Sequence, residues 1–551
     1  MKVSAVKWLY KNTKGQKLNL FWLILSNAFF AVMTVAFAYV IKVIIDGAVS
    51  GDKNKLIAGA IAIVVMVALQ FIFRLIINGL TEHIRAKLEI IYKSLLFGQI
   101  LKKRYKDVTA YHSGELLNRL TSDVNVIAEG ISSIVPTAVA SIVRLISAVV
   151  VLCFIDWVFA LAFVLAGLLV FATLGLLRGK LKFLHKKAQE TEGKTRAFMQ
   201  ESLENSLAIK VFSVSDKINR ISDDLQGQNF KVKMKRRNYN VLGNATYNFI
   251  FSAGYIFALI FGAVKLFQGT VGFGYGDLSA ILQLVNSVQV PIANLSGLLP
   301  KYYGTLASAE RLIEIESLPD DGVDRLVDAS ALYGDLESIE VKNITFGYDD
   351  REDVYKNASL TIKKGSSVAV TGLSGIGKST IMKLFLGVYP VSEGEIFFNC
   401  NDKKVPVSDV TRSMFAYVPQ GNMLFSGTVR DNVTFINDNV TEQEIDRALK
   451  ISGADAFVSE LPDKINTKVG ENGMGLSEGQ VQRIAIARAV LSKAPILLLD
   501  EATGSLDEAT EKAVIQNLLA MEDKTIILVS HRHSAADMCE QTINVKDKKF
   551  N

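Results

Sequence analysis

The chain has 551 residues, 50% of them hydrophobic and 21% charged, with a formal net charge of +6. Its mean hydropathy is +0.27, high for a soluble protein, yet its charge is too great for a chain wholly inside a membrane. These values exclude a disordered chain, a collagen-like repeat and a disulfide scaffold, and they indicate two unlike parts averaged together. The three cysteines, Cys153, Cys400 and Cys539, are far apart and lack CxxC spacing, so neither a disulfide framework nor a structural zinc site is expected.

An apolar run of about 20 residues crosses the ~30 Å hydrocarbon core as a helix. Six such runs precede residue 301: Leu20–Ile45, Leu56–Ile77, Ile134–Ile155, Trp157–Leu177, Tyr247–Phe267 and Leu278–Leu299. The first is too long, and lacks the small-residue cleavage site, to be a signal peptide. Lys2, Lys7, Lys11, Lys14 and Lys17 precede span one. Arg85, Lys87, Lys102, Lys103 and Arg104 lie between spans two and three, and Lys231, Lys233, Lys235, Arg236 and Arg237 before span five. The alternate connections are short and poor in basic residues, which predicts that both termini are cytoplasmic. Glu82–Lys106 and Lys180–Asn205 carry apolar residues at helical spacing and are predicted to continue the spans out of the membrane as helices. Without aromatic interleaving or a recognition motif, the basic residues are a solvated face beside anionic lipid and no nucleic-acid signal.

Several spans hold polar residues: Asn244, Tyr247 and Asn248 in or near the fifth, Gln283, Asn286, Ser287, Gln289, Asn294 and Ser296 in the sixth, and Arg74 and Arg144 near or within the second and third. Facing lipid would be costly, so they face protein or water. Interhelical hydrogen bonding is one reading; a substrate path is the other, with Arg144 the deepest residue on it.

After Tyr303 the hydropathy falls, and a linker runs to about Leu336. From Glu337, short β-runs (Ile339–Val341, Ser367–Val370, Ile496–Leu499, Thr525–Val529) alternate with helical stretches, predicting a parallel-type α/β domain of about 215 residues. Gly372-Leu-Ser374-Gly375-Ile-Gly377-Lys378-Ser379-Thr380 lies between a strand and a helix, as a phosphate-binding loop must. Its backbone N–H groups cradle phosphates, Lys378 faces the β- and γ-phosphates, and Ser379 offers a hydroxyl to Mg²⁺. The aliphatic strand Ile496–Leu499 ends in Asp500-Glu501, a pair suited to holding Mg²⁺ and polarising the attacking water respectively.

In these motifs the chain resembles the ABC transporters, specifically half-transporters of the exporter type, over nearly its whole length. The resemblance implies a six-span all-α membrane domain (1–310) with long cytoplasmic helical extensions, a linker (311–336) and an α/β P-loop ATPase domain (337–551). It implies that Tyr348 stacks on adenine, that Gln420 senses Mg²⁺ and water, and that His531 reaches the γ-phosphate. Thr467-Lys-Val469-Gly470-Glu471 is similar to an exporter-specific loop, Ser505-Leu506-Asp507 to a dimer-contact loop, Ser113–Asp123 to a first coupling segment and Arg196–Phe212 to a second. It further implies ATP and Mg²⁺ as ligands and a bacterial inner-membrane location. Two chains would sandwich ATP and export an amphipathic small molecule, lipid or peptide. Siderophore-type uptake and a non-transporting regulatory ATPase are the alternatives.

The family's signature reads Leu-Ser-Gly-Gly-Gln, whereas here it is Leu476-Ser477-Glu478-Gly479-Gln480. The resemblance places Ser477, Gly479 and Gln480 against the partner's ATP, where a carboxylate would repel phosphate unless it points away. A deviant signature beside an intact Lys378, Gln420, Glu501 and His531 is the pattern of one subunit of a heterodimer, with a homodimer as the alternative. Gly504 and Ser505 also replace the usual Ser and Ala. The chain ends 20 residues after His531, so the family's final helices are expected to be curtailed, and no fused N-terminal peptidase is expected.

Overall fold

The structure is a computed structural model. It describes all residues except 1–3, 323–325, 349–351, 402, 422–423, 438, 471–472 and 522, and within helices it leaves out the side chains at 14, 166, 168–178, 181–182, 296 and 533. The chain divides into two compact units: residues 1–97 with 117–315, and residues 98–116 with 316–551.

In the first unit, five helices among the described residues are long and apolar enough to cross a membrane: Lys17–Ser50, Lys53–Lys102, Ser113–Ile155, Ser215–Phe267 and Tyr275–Glu316. They contain expected spans one, two, three, five and six. The fourth, Trp157–Leu177, lies in the helix Trp157–Glu204, and most of its side chains fall outside the described residues. The expected extensions of spans two and four are helical: the second span continues to Lys102 and the fourth to Glu204.

Local chemistry sets the turns. Gly51 ends the first long helix in the left-handed region (φ 71°), which glycine enters without a Cβ penalty. Asp156 breaks the third from the fourth with extended backbone, and its Oδ1 accepts the Phe159 N–H at 2.9 Å, a side-chain N-cap. Its carboxylate also pairs with Lys265, and Lys42 meets Asp277 at 2.6 Å. Between the fifth and sixth spans, Tyr247 donates to the Gln289 carbonyl and Gln289 Nε2 to Asn248 Oδ1 at 3.4 Å. These three polar residues therefore form interhelical bonds.

The second unit carries three sheets, built from β1 (Leu336–Gly347), β2 (Asp353–Lys363), β3 (Ser367–Gly372), β4 (Glu393–Cys400), β5 (Lys403–Pro406), β6 (Phe415–Val418), β7 (Gly427–Thr428), β8 (Lys468–Val469), β9 (Ile496–Asp500), β10 (Thr525–Val529), β11 (Gln541–Lys546) and β12 (Lys549–Phe550). Six strands in the order β12-β11-β3-β10-β9-β6 form a sheet parallel throughout except at β12. Its central strands β9 and β10 are buried at every residue, the continuous apolar pattern of a sheet covered on both faces. Beside the expected parallel sheet stands an antiparallel one, β2-β1-β4-β5, while β7 pairs with β8. Residues 98–116, between spans two and three, belong to this unit. Lys103 Nζ donates to the Glu316 and Leu318 carbonyls and to Asp320 Oδ1, each at 2.7 Å, and Tyr105 packs edge-on to Tyr389.

Candidate functional site

Parallel strands deliver their C-terminal ends to one edge of the sheet, where α/β folds bind ligands. Here β3 leads into Gly372–Thr380, β9 ends at Asp500-Glu501, β10 precedes Ser530-His531, and β6 precedes Pro419-Gln420. The four pieces that were separate in the sequence therefore converge.

The phosphate-binding loop is shaped by Gly372, Gly375 and Gly377, with φ of 143°, 77° and 119°. At Gly377 a side chain would also run into Val354 and Tyr355. The helix Lys378–Phe385 begins directly after it, so its free N–H groups and positive end face the loop. Lys378 is 4% exposed and folds back, its Nζ donating to the Gly372 and Leu373 carbonyls at 3.0 Å each. Burial lowers its pKa, while the nearby Glu501 and Asp500 work against that shift. Tyr355, fully buried, donates its hydroxyl to the Gly377 carbonyl at 2.9 Å.

Asp500 is 1% exposed and is bonded at both oxygens: Ser379 Oγ donates to Oδ1 at 2.8 Å and Tyr417 Oη to Oδ2 at 3.0 Å. Burial raises its pKa, and the two donors oppose the rise. Burial and the Asp500 carboxylate push the Tyr417 phenol up in turn, which keeps it a donor. Glu501 holds a left-handed backbone (φ 52°), a conformation costing about 1–3 kcal/mol that is maintained at functional sites by surrounding structure. Its Oε2 receives Gln420 Nε2 at 2.6 Å, and its Oε1 lies 2.6 Å from His531 Nε2.

Tyr348 hydrogen-bonds Thr380 at 3.2 Å and packs edge-on to Tyr389 and Phe346. Ser374 lies in the same loop. A cavity of about 380 Å³ is bounded by Gly372, Leu373, Ile376, His531, Arg532 and Lys546, among others. A wider hollow of about 690 Å³, bounded by Arg447, Lys450, Lys493 and Lys524, contains none of these site residues.

Ser477 and Gln480 stand apart. They cap the helix Glu478–Leu491 reciprocally, Ser477 N–H donating to Gln480 Oε1 at 2.8 Å and Gln480 N–H to Ser477 Oγ at 3.3 Å. Among the described residues, no hydrogen bond joins them to the phosphate loop. Glu478 is exposed at the first position of this helix, followed by Gly479. Glu471 of the expected exporter-specific loop lies outside the described residues.

Sequence reading missed Tyr355, Tyr417 and Gln482. Gln482 Nε2 donates to Ser505 Oγ at 3.1 Å, and Ser505 N–H donates to Gln482 Oε1 at 3.2 Å. This pair gives the unusual Ser505 a role, because its hydroxyl adds a bond to the helix that Ser477 begins. Arg532 likewise ties its loop to Leu506 O at 2.9 Å and Glu511 at 2.7 Å.

Similarity to known proteins identifies the family. The family model for the ABC transporter transmembrane region matches residues 20–292, and that for the ABC transporter matches residues 355–504. The chain is 31% identical over 445 residues to an ATP-dependent lipid A-core flippase of Syntrophus aciditrophicus (strain SB), spanning 80% of this chain and 73% of that protein. A protein of the same name from Desulfotalea psychrophila is 27% identical over 557 residues, spanning 99% and 95%. A putative export ATP-binding/permease protein of Rickettsia bellii is 27% identical over 518 residues, spanning 91% and 86%. A solved bacterial Atm1-family ABC exporter with ATP bound shares the fold, with a TM-score of 0.81 at 22% identity over 97% of this chain and 94% of that one. The chain is thus a multi-pass membrane protein with a nucleotide-binding half, and it belongs to the ABC transporters as an exporter-type half-transporter, hydrolysing ATP to drive export.

Proposed function

We propose that two half-transporters enclose two ATP molecules and use their hydrolysis to export an amphiphile bearing an anionic group. Each ATP lies between one chain's phosphate loop and the other chain's Ser477–Gln480 segment. The observation that carries the ATPase reading is the convergence of Gln420 and His531 on the two oxygens of Glu501. Lys378 leaves its two loop carbonyls for the β- and γ-phosphates, and Tyr348 supports adenine. Glu501 accepts a proton from the attacking water as the water oxygen bonds to the γ-phosphorus and the bond to ADP breaks. Gln420 and His531 fix the carboxylate's direction, and His531 also reaches the γ-phosphate. Ser379 Oγ and Asp500 Oδ1, 2.8 Å apart, with the amide oxygen of Gln420, are the hard oxygen donors that Mg²⁺ prefers. When bound there, Mg²⁺ neutralises charge on the phosphate oxygens.

In this reading, residues 1–310 form the membrane domain, 311–336 the linker and 337–551 the ATPase domain. Both termini face the cytoplasm of a bacterial cell whose inner membrane holds the protein. Half-transporters work in pairs, and Glu478 favours a heterodimer. A carboxylate already occupies the helix end that the partner's phosphate would approach, while this chain's own catalytic residues are intact.

For the substrate, Arg144 is informative. It lies in the third span within the helix Val124–Ile155, and its buried Nε has no hydrogen-bond partner among the described residues. A charged group at that depth calls for a counter-charge, which an anionic headgroup supplies; two relatives are named lipid A-core flippases. The test is uptake of a fluorescent anionic lipid analogue into inside-out vesicles. ATP-dependent accumulation that falls in Arg144→Gln, with basal ATPase retained, is expected. Equal accumulation in the variant refutes the role of Arg144.

A further inference from the structure

We propose that Tyr417 is a positioning residue for the metal-binding carboxylate: its hydroxyl holds Asp500 Oδ2 so that Oδ1 alone is presented toward Ser379 and the phosphates. This rests on the reading that Asp500 and Ser379 hold Mg²⁺.

The placement follows from strand register. In β6, Tyr417 pairs with Leu498 and Val418 with Leu499 of β9, so the end of β6 runs alongside the end of β9. Tyr417 Oη reaches Asp500 Oδ2 at 3.0 Å and Ser379 Oγ reaches Oδ1 at 2.8 Å, so each oxygen has its own donor. Three residues further on, Gln420 bonds Glu501 at 2.6 Å. The same two chain segments are thus cross-linked twice, once at each neighbouring carboxylate.

The two donors of Asp500 are not equivalent. Ser379 belongs to the phosphate loop, and its hydroxyl must turn to the metal when nucleotide binds. Tyr417 lies on a sheet strand, with its ring packed against the domain core, and has no reason to leave. Without it, one oxygen of a nearly fully buried carboxylate loses its fixed partner, and the group is free to rotate about its χ2 torsion. Partners that orient metal ligands in this way typically contribute about tenfold to a hundredfold in metal affinity.

The experiment uses the full assembled transporter in nanodiscs, with a non-hydrolysable ATP analogue and Mn²⁺ as the metal probe, free Mn²⁺ being followed by its electron paramagnetic resonance signal. Tyr417→Phe should weaken Mn²⁺ binding about tenfold or more, while analogue affinity measured in EDTA stays at the wild-type value. Tyr417→Leu, which removes the ring as well, should show the same Mn²⁺ loss. Unchanged Mn²⁺ affinity in Tyr417→Phe overturns the proposal, as does a parallel loss of analogue affinity in EDTA. Asp500→Asn separates this from the underlying reading. If it retains wild-type Mn²⁺ affinity the metal site itself is wrongly placed; if it loses Mn²⁺ while Tyr417→Phe does not, only the role of Tyr417 fails.

Discussion

Glu501 Oε1 stands 2.6 Å from His531 Nε2, and the second carboxylate oxygen is held by Gln420. As the proposed base, a carboxylate held at each oxygen from a different loop has its orientation set and still keeps a free lone pair on each oxygen to accept a proton. His531→Ala should therefore lower kcat for ATP by about a hundredfold or more, with KM changed far less. Steady-state ATPase kinetics check this. A rise in KM with kcat intact would make His531 a nucleotide-binding group only.

Glu478→Gly should raise ATP turnover of the assembled transporter. The exposed carboxylate sits at the start of its helix, where the proposed two-chain arrangement brings a partner's phosphate. Two like charges about 4 Å apart in water repel by roughly 1 kcal/mol, so KM should fall about fivefold. ATPase titrations of the two proteins side by side give the answer, and an unchanged KM means that the carboxylate points away from phosphate.

Arg311→Ala should destabilise the membrane unit by about 3 kcal/mol, because it strands a buried charge. Asp123 is 2% exposed, and it receives Arg311 Nε at 2.7 Å and Ser308 Oγ at 2.9 Å. Thermal unfolding in detergent should show the loss, and Asp123→Asn/Arg311→Ala should recover part of it.

Cys539 offers a pH readout. Burial holds its thiol up at about 11. Its folded pKa lies above that of an ordinary thiol, so the neutral form stabilises the fold below about pH 9, and that contribution fades as pH rises through about 11. Native protein at pH 8 should leave Cys539 unreacted with iodoacetamide, whereas denatured protein should react. Mass spectrometry of the alkylated peptide distinguishes the two.

The site was legible in the sequence wherever chemistry demands a fixed local spacing. Gly372–Thr380 and Asp500-Glu501 follow short apolar strands and were read from their own chemistry, Gln420 and His531 only through the family resemblance, and the sheet brings these strand ends together. The helical extensions to Lys102 and Glu204 were legible from periodicity. Of the antiparallel β2-β1-β4-β5 sheet only Ile339–Val341 in β1 was legible, as a β-run of a parallel-type domain, because its strands pair across long separations, as Leu336 does with Cys400. Tyr417, Tyr355 and the Gln482–Ser505 pair were missed for a related reason. Each acts through one hydrogen-bonding contact with a residue 22 or more positions away, and no local pattern records such a contact. The polar residues of the spans divided: Tyr247, Asn248 and Gln289 of the fifth and sixth bond across helices, whereas the buried Nε of Arg144 in the third has no partner among the described residues.

In the proposed mechanism, hydrolysis at Glu501 drives movement across the membrane. The most direct measurement compares wild type and Glu501→Gln in proteoliposomes carrying a fluorescent anionic lipid, its leaflet followed by chemical quenching. Wild type should show ATP-dependent movement, and Glu501→Gln should bind ATP without sustained movement or turnover. Equal movement by the two proteins, or wild-type hydrolysis without movement of this lipid, would contradict it.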